Sequence, residues 1–133
     1  MILSKNYETI YDDYCFMDSI VTGIHWDSNL LDLVVTLDYY WDIQEGKTET
    51  RELMLRFKNC IEANFSMPQI SEIKNISDDK IKVHTWFLYT ITGFEVRNDN
   101  GLIEVSVKTN DGKGIWLFVK CMELWIETNN QLE

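Results

Sequence analysis

Residues 30–41 constrain the fold of this chain more than any other stretch. Apolar side chains occupy every second position there, and mostly acidic or polar residues stand between them. This alternation predicts a β-strand with one buried and one exposed face, because successive side chains of a strand point in opposite directions. A helix would scatter the aspartates around its circumference. The buried set is Leu31, Leu33, Val35, Leu37, Tyr39 and Trp41, and the exposed set includes Asp32, Asp38, Tyr40 and Asp42.

A second strand follows the polar loop at residues 44–49, because the alternation resumes at Leu53, Leu55 and Phe57. We predict a hairpin in which Trp41 is opposite Leu53. This register keeps the apolar residues of both strands on one face. It also places Asp38 opposite Arg56, which is a favourable cross-strand charge pair.

A second hairpin is predicted at Asn100-Gly101, since this dipeptide favours a two-residue type I′ turn. The turn implies a register in which Asp99 pairs with Leu102, Arg97 with Glu104, Val96 with Val105, and Phe94 with Val107. The apolar phase changes at Gly93, which predicts a β-bulge. The next strand should place Ile115, Leu117, Val119 and Cys121 opposite Thr109, Val107, Val105 and Ile103.

A short amphipathic helix is predicted near the N-terminus, where Tyr7, Ile10, Tyr11 and Tyr14 form one stripe and Ser4 or Asn6 supplies the cap. Further strands are expected at residues 18–26 and 81–92, separated by a long polar connection at residues 69–80. At 133 residues the chain is expected to form one domain. We predict a mainly β fold, an antiparallel meander that forms a sandwich or half-barrel with one short N-terminal helix. The alternative is an α+β fold with that helix packed on one sheet.

The formal net charge of -10 restricts the classes of partner. A nucleic-acid backbone would be repelled, whereas a basic protein would be captured faster. No apolar run is long enough for a signal peptide or a membrane span, so no membrane partner is expected. Three dispersed cysteines, Cys15, Cys60 and Cys121, suit unpaired thiols in a reducing cytoplasm.

The motifs of common enzymes are absent from the sequence, which contains no nucleophile elbow, phosphate loop or dinucleotide fingerprint. His25 and His84 have no second ligand at metal-binding spacing, so we expect no metal, no other cofactor and no enzymatic activity. The acidic strand face is either a solvated surface or a contact surface for a basic partner. The residues predicted to contact a partner are Asp32, Asp38, Tyr40, Asp42 and Glu45, with Tyr40 as the anchor.

Five large aromatic side chains are predicted to point away from the core or to lie at strand ends: Tyr40, Trp86, Trp116, Phe118 and Trp125. Such rings are either covered by the N-terminal helix or a second sheet, or they belong to an interface.

Residues 17–26, Met-Asp-Ser-Ile-Val-Thr-Gly-Ile-His-Trp, followed by the alternating strand, resemble the opening of small acidic immunity proteins predicted in bacterial polymorphic toxin systems. Those proteins often begin with Asp-Ala or Asp-Ser before a strand and continue as β-rich domains. The resemblance covers about the first half of the chain. It implies a non-enzymatic bacterial protein that binds a cognate toxin and occludes its surface, and it transfers no binding residue.

Two other hypotheses remain open at this point. The chain could be a small ligand-binding or enzymatic half-barrel with a pocket between the sheet and the helix at residues 7–14. It could also be a structural or regulatory homodimer subunit that pairs through exposed edge strands. A pocket with converging polar groups favours the first of these alternatives, and a flat acidic and aromatic face favours the toxin inhibitor.

Overall fold

The computed structural model describes residues 1–27, 29–66, 88–110 and 114–128. The predicted connection at residues 69–80 lies outside these ranges. So do most of the predicted strand at residues 81–92, His84, Trp86 and part of the loop at residues 110–114.

Two antiparallel sheets dominate the described residues. In chain order the elements are β1 (Ile2–Ser4), α1 (Tyr7–Asp13), β2 (Ile20–Trp26), β3 (Leu33–Tyr39), α2 (Trp41–Gln44), β4 (Arg51–Lys58), β5 (Glu62–Phe65), β6 (Ile91–Asp99), β7 (Leu102–Thr109), β8 (Ile115–Cys121) and β9 (Glu123–Thr128). The first sheet has the strand order β1-β9-β4-β3-β2, and the second has the order β5-β8-β7-β6. The predicted mainly β fold with one short N-terminal helix is confirmed. No helix of the described residues is long and apolar enough to cross a membrane.

The buried face that the alternating pattern predicted for β3 is confirmed, but Val34, on the face predicted to be exposed, is also only 1% exposed. Leu33, Val35, Leu37 and Tyr39 are all almost fully buried. The pattern fails at both ends, where Leu31 is 53% exposed and Trp41 begins α2. The strand is therefore shorter than the alternation, because a turn and a helical segment replace its ends.

The N-terminal helix α1 is capped by Asn6 rather than by Ser4. The side-chain oxygen of Asn6 accepts hydrogen bonds from the backbone N–H groups of Glu8 and Thr9, at 2.8 and 3.3 Å. This arrangement satisfies two of the N–H groups that lack a partner inside the first turn of a helix. Ile10 is fully buried in the shared core, whereas Tyr11 is 51% exposed.

The two sheets are joined by a bent ribbon. The chain passes from β4 to β5 and from β8 to β9, and these two crossings run side by side. Ile61 N–H donates to the carbonyl of Lys120 at 2.8 Å, and Met122 N–H donates to the carbonyl of Lys58 at 3.0 Å. At the other side of the core, an isolated bridge pairs Ile20 with Thr90. One hydrophobic core therefore draws side chains from both sheets.

The predicted register of the β3–β4 hairpin is wrong by four residues. Leu37 is opposite Leu53, and Asp38 is opposite Glu52 instead of Arg56. The even shift preserves the buried face, which explains why the apolar pattern could not reveal the error. Residues that were assigned to the end of β3 form α2 instead.

The β6–β7 hairpin has the predicted register throughout, including Asp99 opposite Leu102 and Arg97 opposite Glu104. Asn100 and Gly101 have φ angles of +52° and +86°, as a type I′ turn requires. The register shifts between Ile91 and Gly93, so the bulge predicted there is confirmed.

The β7–β8 register agrees with the prediction for three of the four pairs. Val107 is opposite Leu117, but Ile115 is opposite Lys108 rather than Thr109. This irregularity leaves Trp116 between two paired positions, and its side chain is 1% exposed. The prediction that Trp116 points outward is therefore wrong, because the shift changes the alternation at that residue.

Strands β1 and β9 were not predicted. Glu127 and Thr128 belong to β9, and Met1 N–H₃⁺ donates to the carbonyl of Thr128 at 2.7 Å. β9 runs between β4 and β1, so pairing partners that are distant in sequence hold it in place.

We predict that Gly101→Val destabilises the protein by about 1–3 kcal/mol, since a β-branched residue resists a positive φ. Asn100→Gly is the matched control, because glycine adopts the same φ freely. Urea unfolding followed by tryptophan fluorescence measures both. Parent-like stability of the valine variant would contradict the turn geometry.

Candidate functional site

The five residues predicted to contact a partner do not share one exposed face. Asp38 lies within β3, and Asp32 immediately precedes that strand. Tyr40 caps α2, Asp42 lies within it and Glu45 follows it. Asp32 is 1% exposed and Asp42 is fully buried, so the prediction that they lie on a solvated strand face is wrong.

Asp42 anchors the connection between β3 and β4. One of its oxygens accepts the backbone N–H of Arg51 at 2.9 Å. The guanidinium of Arg51 donates from Nε at 3.0 Å and from Nη2 at 3.0 Å, and Lys47 Nζ donates at 3.2 Å. Charge-assisted bonds of this kind are stronger than neutral ones. They account for a carboxylate that is buried but fully paired.

The pKa of Asp42 is lowered although burial acts in the opposite direction. Desolvation raises the pKa, and the hydrogen bonds from the side chain and backbone of Arg51 and from Lys47 outweigh that effect. Arg51 also stacks over the ring of Tyr39, with 5.6 Å from the guanidinium carbon to the ring centroid. Asp42 is therefore ionised in the folded protein at neutral pH and belongs to a structural cluster.

Asp32 forms a comparable cluster at the other end of β3. It accepts hydrogen bonds from Lys58 Nζ at 2.8 Å and from the backbone N–H of Asn59 at 3.0 Å. Arg56 Nη1 lies 3.4 Å away, and the same guanidinium is bound by Asp27 and Glu127. Desolvation raises the pKa of Asp32, but the donors outweigh it, so the pKa is lowered overall.

The two clusters fix both ends of the β3–β4 pair. Asp42 binds the first backbone N–H of β4, and Asp32 binds the N–H that follows the last residue of β4. The two carboxylates thus select the observed register among those that the apolar pattern allows. The sequence signal was available, since both aspartates flank the apolar run, but it was interpreted as surface charge.

Four exposed residues near α2 and the half-buried Asp38 make up a smaller group, which we call the α2 surface. It consists of Asp38, Tyr40, Ile43, Glu45 and Glu52. Tyr40 and Ile43 are each 38% exposed, and Tyr40 N–H is fixed by Ser19 Oγ at 3.0 Å. Asp38 is directly opposite Glu52, and such like-charge pairs are unfavourable. None of the three carboxylates forms an ion pair with another described residue.

The predicted outward aromatics that the structure describes have different environments. Trp125 is half-buried on the first sheet, with Lys5 Nζ and Lys58 Nζ at 4.6 and 4.7 Å from its ring centroid. Phe118 lines a groove of about 410 Å³ on the second sheet, together with Tyr11 and Ile115. Only Tyr40 is as exposed as the sequence suggested.

On the second sheet, Glu104 forms ion pairs with Arg97 and Lys120. Arg97 Nε donates to Glu104 at 2.5 Å, and Lys120 Nζ lies 3.6 Å from the other oxygen. The hydrogen bond from Arg97 is the main reason that the pKa of Glu104 is lowered. This predicted charge pair is confirmed.

A polar cavity of about 270 Å³ lies between α1 and the first sheet. Its lining includes Tyr14, Tyr39, Arg51, Asp13 and Glu45. Burial is the largest cause of the raised pKa of Tyr14 and of Tyr39, so both phenols are neutral donors at physiological pH. This is the location in which a ligand pocket was predicted as an alternative.

Within the part of the chain that the structure describes, no group of three or more His, Cys, Asp or Glu side chains could hold a metal ion. The three cysteines are free. Burial, followed by the proximity of Cys60, raises the pKa of Cys121 to about 12, so this thiol stays protonated.

Comparisons with known proteins support the fold alone. No protein-family model matches the chain, and no curated protein matches it. A crystal structure of an uncharacterized protein from Neisseria gonorrhoeae is similar, with a TM-score of 0.54 and 13% sequence identity. The alignment covers 85% of this chain and 93% of that chain. At this identity the likeness shows a shared architecture.

We predict opposite effects for two aspartates that are only four positions apart. Asp42→Asn should lower the free energy of unfolding by about 1.5–3 kcal/mol, since it weakens several charge-assisted hydrogen bonds at a buried group. Asp38→Asn, the matched control, should be neutral or stabilising by up to about 1 kcal/mol, because it removes a like-charge pair. Urea unfolding at pH 7 measures both. A loss at Asp38 equal to that at Asp42 would contradict the assignment.

The difference between the parent and Asp42→Asn should also depend on pH. Since the folded pKa of Asp42 lies below its ordinary value of 3.8, the ionised group stabilises the fold above that value. The contribution is lost as the pH falls through the lower, folded pKa. The gap between the two unfolding free energies should therefore shrink below about pH 4. A gap that widened in acid would show that the sign is wrong.

Proposed function

We propose that this chain is a non-enzymatic binding protein of the immunity type, which neutralises a cognate bacterial toxin by covering a basic surface of it. The observation that carries the proposal is the α2 surface, where exposed Tyr40 and Ile43 lie beside carboxylates without a cationic partner among the described residues. The resemblance of residues 17–41 to immunity proteins supports the class of partner.

The unfavourable Asp38–Glu52 pair supports a contact with a cationic partner. Like charges across a ladder weaken the isolated fold. A lysine or arginine placed between the two carboxylates would relieve that repulsion and would gain two attractive interactions. The net charge of -10 would in addition steer a basic partner toward the chain.

The contact residues that we propose are Asp38, Tyr40 and Glu45, with Ile43 and Glu52 beside them. Tyr40 is the anchor, because tyrosine is enriched among residues that dominate binding energy. Asp42 supports this contact surface indirectly, since its bonds to Arg51 and Lys47 fix the α2 turn that presents Tyr40. Asp32 lies at the opposite end of β3 and supports the fold there.

The proposed partner is a basic toxin domain, and neither nucleic acid nor a membrane nor a cofactor takes part. The three free thiols suit a cytoplasmic location, where an inhibitor would protect the cell that makes the toxin. A homodimer that pairs through edge strands remains a separate hypothesis, which sedimentation of the isolated chain would test.

The polar cavity beside α1 favours a second candidate function, namely binding of a small polar ligand. Tyr14, Tyr39 and Arg51 converge on it, as the half-barrel hypothesis requires. Titration with a library of small polar metabolites tests this function. Resonance shifts confined to these three side chains would support it, and Glu52→Gln, at a position outside the cavity lining, should leave those shifts unchanged.

The direct test of the proposed function is co-expression. If a toxin gene lies beside the gene for this chain, expression of its C-terminal domain should arrest growth, and co-expression of this chain should restore it. Tyr40→Ala should reduce the rescue. Continued arrest despite accumulation of soluble, folded chain would contradict the proposal.

Association and dissociation rates measured with that toxin domain distinguish the effect of the acidic residues from the effect of the anchor residue. Glu45→Gln and Glu52→Gln should slow association, and the loss should shrink as salt rises, because screening acts over about 10 Å at 0.1 M. Tyr40→Ala should instead speed dissociation by about tenfold or more, as expected for an anchor residue.

The matched control is Glu95→Gln, which makes the same charge change at an exposed position on the second sheet. It should alter association less than either α2-surface variant. Equal effects at all three glutamates would place the interface elsewhere.

A further inference from the structure

The end of the first sheet opposite α2 exposes large apolar side chains from three backbone segments. We call this group the apolar tip. Leu30 is 73% exposed, and the other members are between 44% and 62% exposed: Trp26, Leu31, Ile61 and Met122. Single exposed apolar residues are ordinary, but several on adjoining segments are typical of an interaction site.

Backbone hydrogen bonds show that the three segments are neighbours. Cys60 N–H donates to the carbonyl of Leu31 at 2.7 Å, which joins the β2–β3 turn to the corner between β4 and β5. Ile61 N–H and Met122 N–H join that corner to the crossing from β8 to β9. Leu31, Ile61 and Met122 therefore belong to one continuous edge of the molecule.

The turn that carries Leu30 is held in an uncommon conformation. Leu30 has a φ of +59°, in the left-handed region that side chains other than glycine and asparagine rarely adopt. Leu30 N–H donates to the carbonyl of Asp27 at 2.8 Å, and Asp27 N–H donates to the carbonyl of Asp32 at 2.9 Å. The backbone of Asp27 and Asp32 thus closes a strained turn whose Leu30 side chain faces solvent, and Arg56 binds the carboxylates of both aspartates. Strain of this kind is concentrated at functional sites.

We propose that the apolar tip is a second docking surface, and that it binds a protein surface whose apolar centre is surrounded by lysine or arginine. The proposal takes its class of partner from the proposed function and adds a contact region to it. The tip and the α2 surface lie at opposite ends of the seven-residue strand β3, about 20 Å apart at the usual rise of a strand.

Charge complementarity supports a basic partner. Glu62 and Glu123 are exposed beside Ile61 and Met122, and they lie opposite Lys120 and Lys58 in the β5–β8 and β4–β9 ladders. Neither glutamate forms an ion pair with these lysines or with another described residue. The lysines of the same segments already form ion pairs elsewhere, since Lys58 binds Asp32 and Lys120 lies near Glu104. The rim of the tip is therefore acidic.

The same charges argue against a second copy of this chain as the occupant, because two tips with acidic rims in chains of charge -10 would repel each other.

The test uses a synthetic amphipathic helical peptide of leucine and lysine, with a leucine–glutamate peptide of the same pattern as the control. Methyl-labelled protein is titrated with each peptide. The Leu–Lys peptide should shift the methyl signals of Leu30, Leu31 and Ile61, and the Leu–Glu peptide should not. Ile61→Ser should weaken binding of the Leu–Lys peptide by about tenfold, as loss of one buried apolar side chain predicts.

Ile115→Ser is the matched control, because Ile115 is also exposed but lies at the far end of β8 from Met122. It should leave the affinity unchanged. Leu31→Ser repeats the test at a second exposed position, and thermal unfolding verifies that each variant is folded.

Four results would overturn the proposal. They are peptide shifts located away from the tip, equal binding of both peptides, self-association of the chain that Ile61→Ser abolishes, or tip methyl groups shielded from a soluble gadolinium chelate in the free protein. None of them depends on growth rescue by the toxin assay, so the two hypotheses can fail separately.

Discussion

Two buried carboxylates hold the central hairpin of this protein in register. Asp42 and Asp32 flank β3, and each accepts a backbone N–H from one boundary of β4. Burial of a carboxylate is costly unless it is fully paired. Apart from Lys47 in the connecting loop, every pairing partner comes from β4 or from Asn59, which follows it. A register shifted by two or four residues would bury the same apolar face but would move the donors of β4 and Asn59 away from both carboxylates.

These clusters, together with the ion pairs of Glu104 on the second sheet, also affect the charge of the molecular surface. Six cationic side chains take part in the described ion pairs, namely Lys47, Arg51, Arg56, Lys58, Arg97 and Lys120. The whole chain contains 12 lysine and arginine residues against 22 acidic ones. Since buried or strand-paired acids use so many of the cations, exposed carboxylates such as Glu45, Glu52 and Glu62 form no ion pair with another described residue. The strong acidity is thus concentrated where a partner can reach it.

The same clusters connect stability to the two proposed contact regions. Asp42 fixes the turn that presents Tyr40, and Asp32 fixes the turn that presents Leu30. A rigid support lowers the entropy that is lost when a side chain is immobilised on binding. The bent ribbon of β4–β5 and β8–β9 adds Ile61 and Met122 at one of these regions, because it crosses between the sheets there. Both surfaces therefore follow from the way in which β3 ends.

The sequence by itself determined several features that depend on local periodicity or turn chemistry. It predicted the Asn6 cap as one of two candidates, the buried face of β3, the bulge at Gly93 and the whole β6–β7 register, because a type I′ turn fixes the pairing of its strands.

Tertiary structure decided the β3–β4 register, the burial of Asp32, Asp42 and Trp116, and the presence of β1 and β9. The long β3–β4 connection sets no register, and the apolar pattern is unchanged by an even shift. The choice therefore depended on donors that approach each carboxylate only after the chain has folded, and an aspartate in a sequence shows nothing of the partners that will surround it.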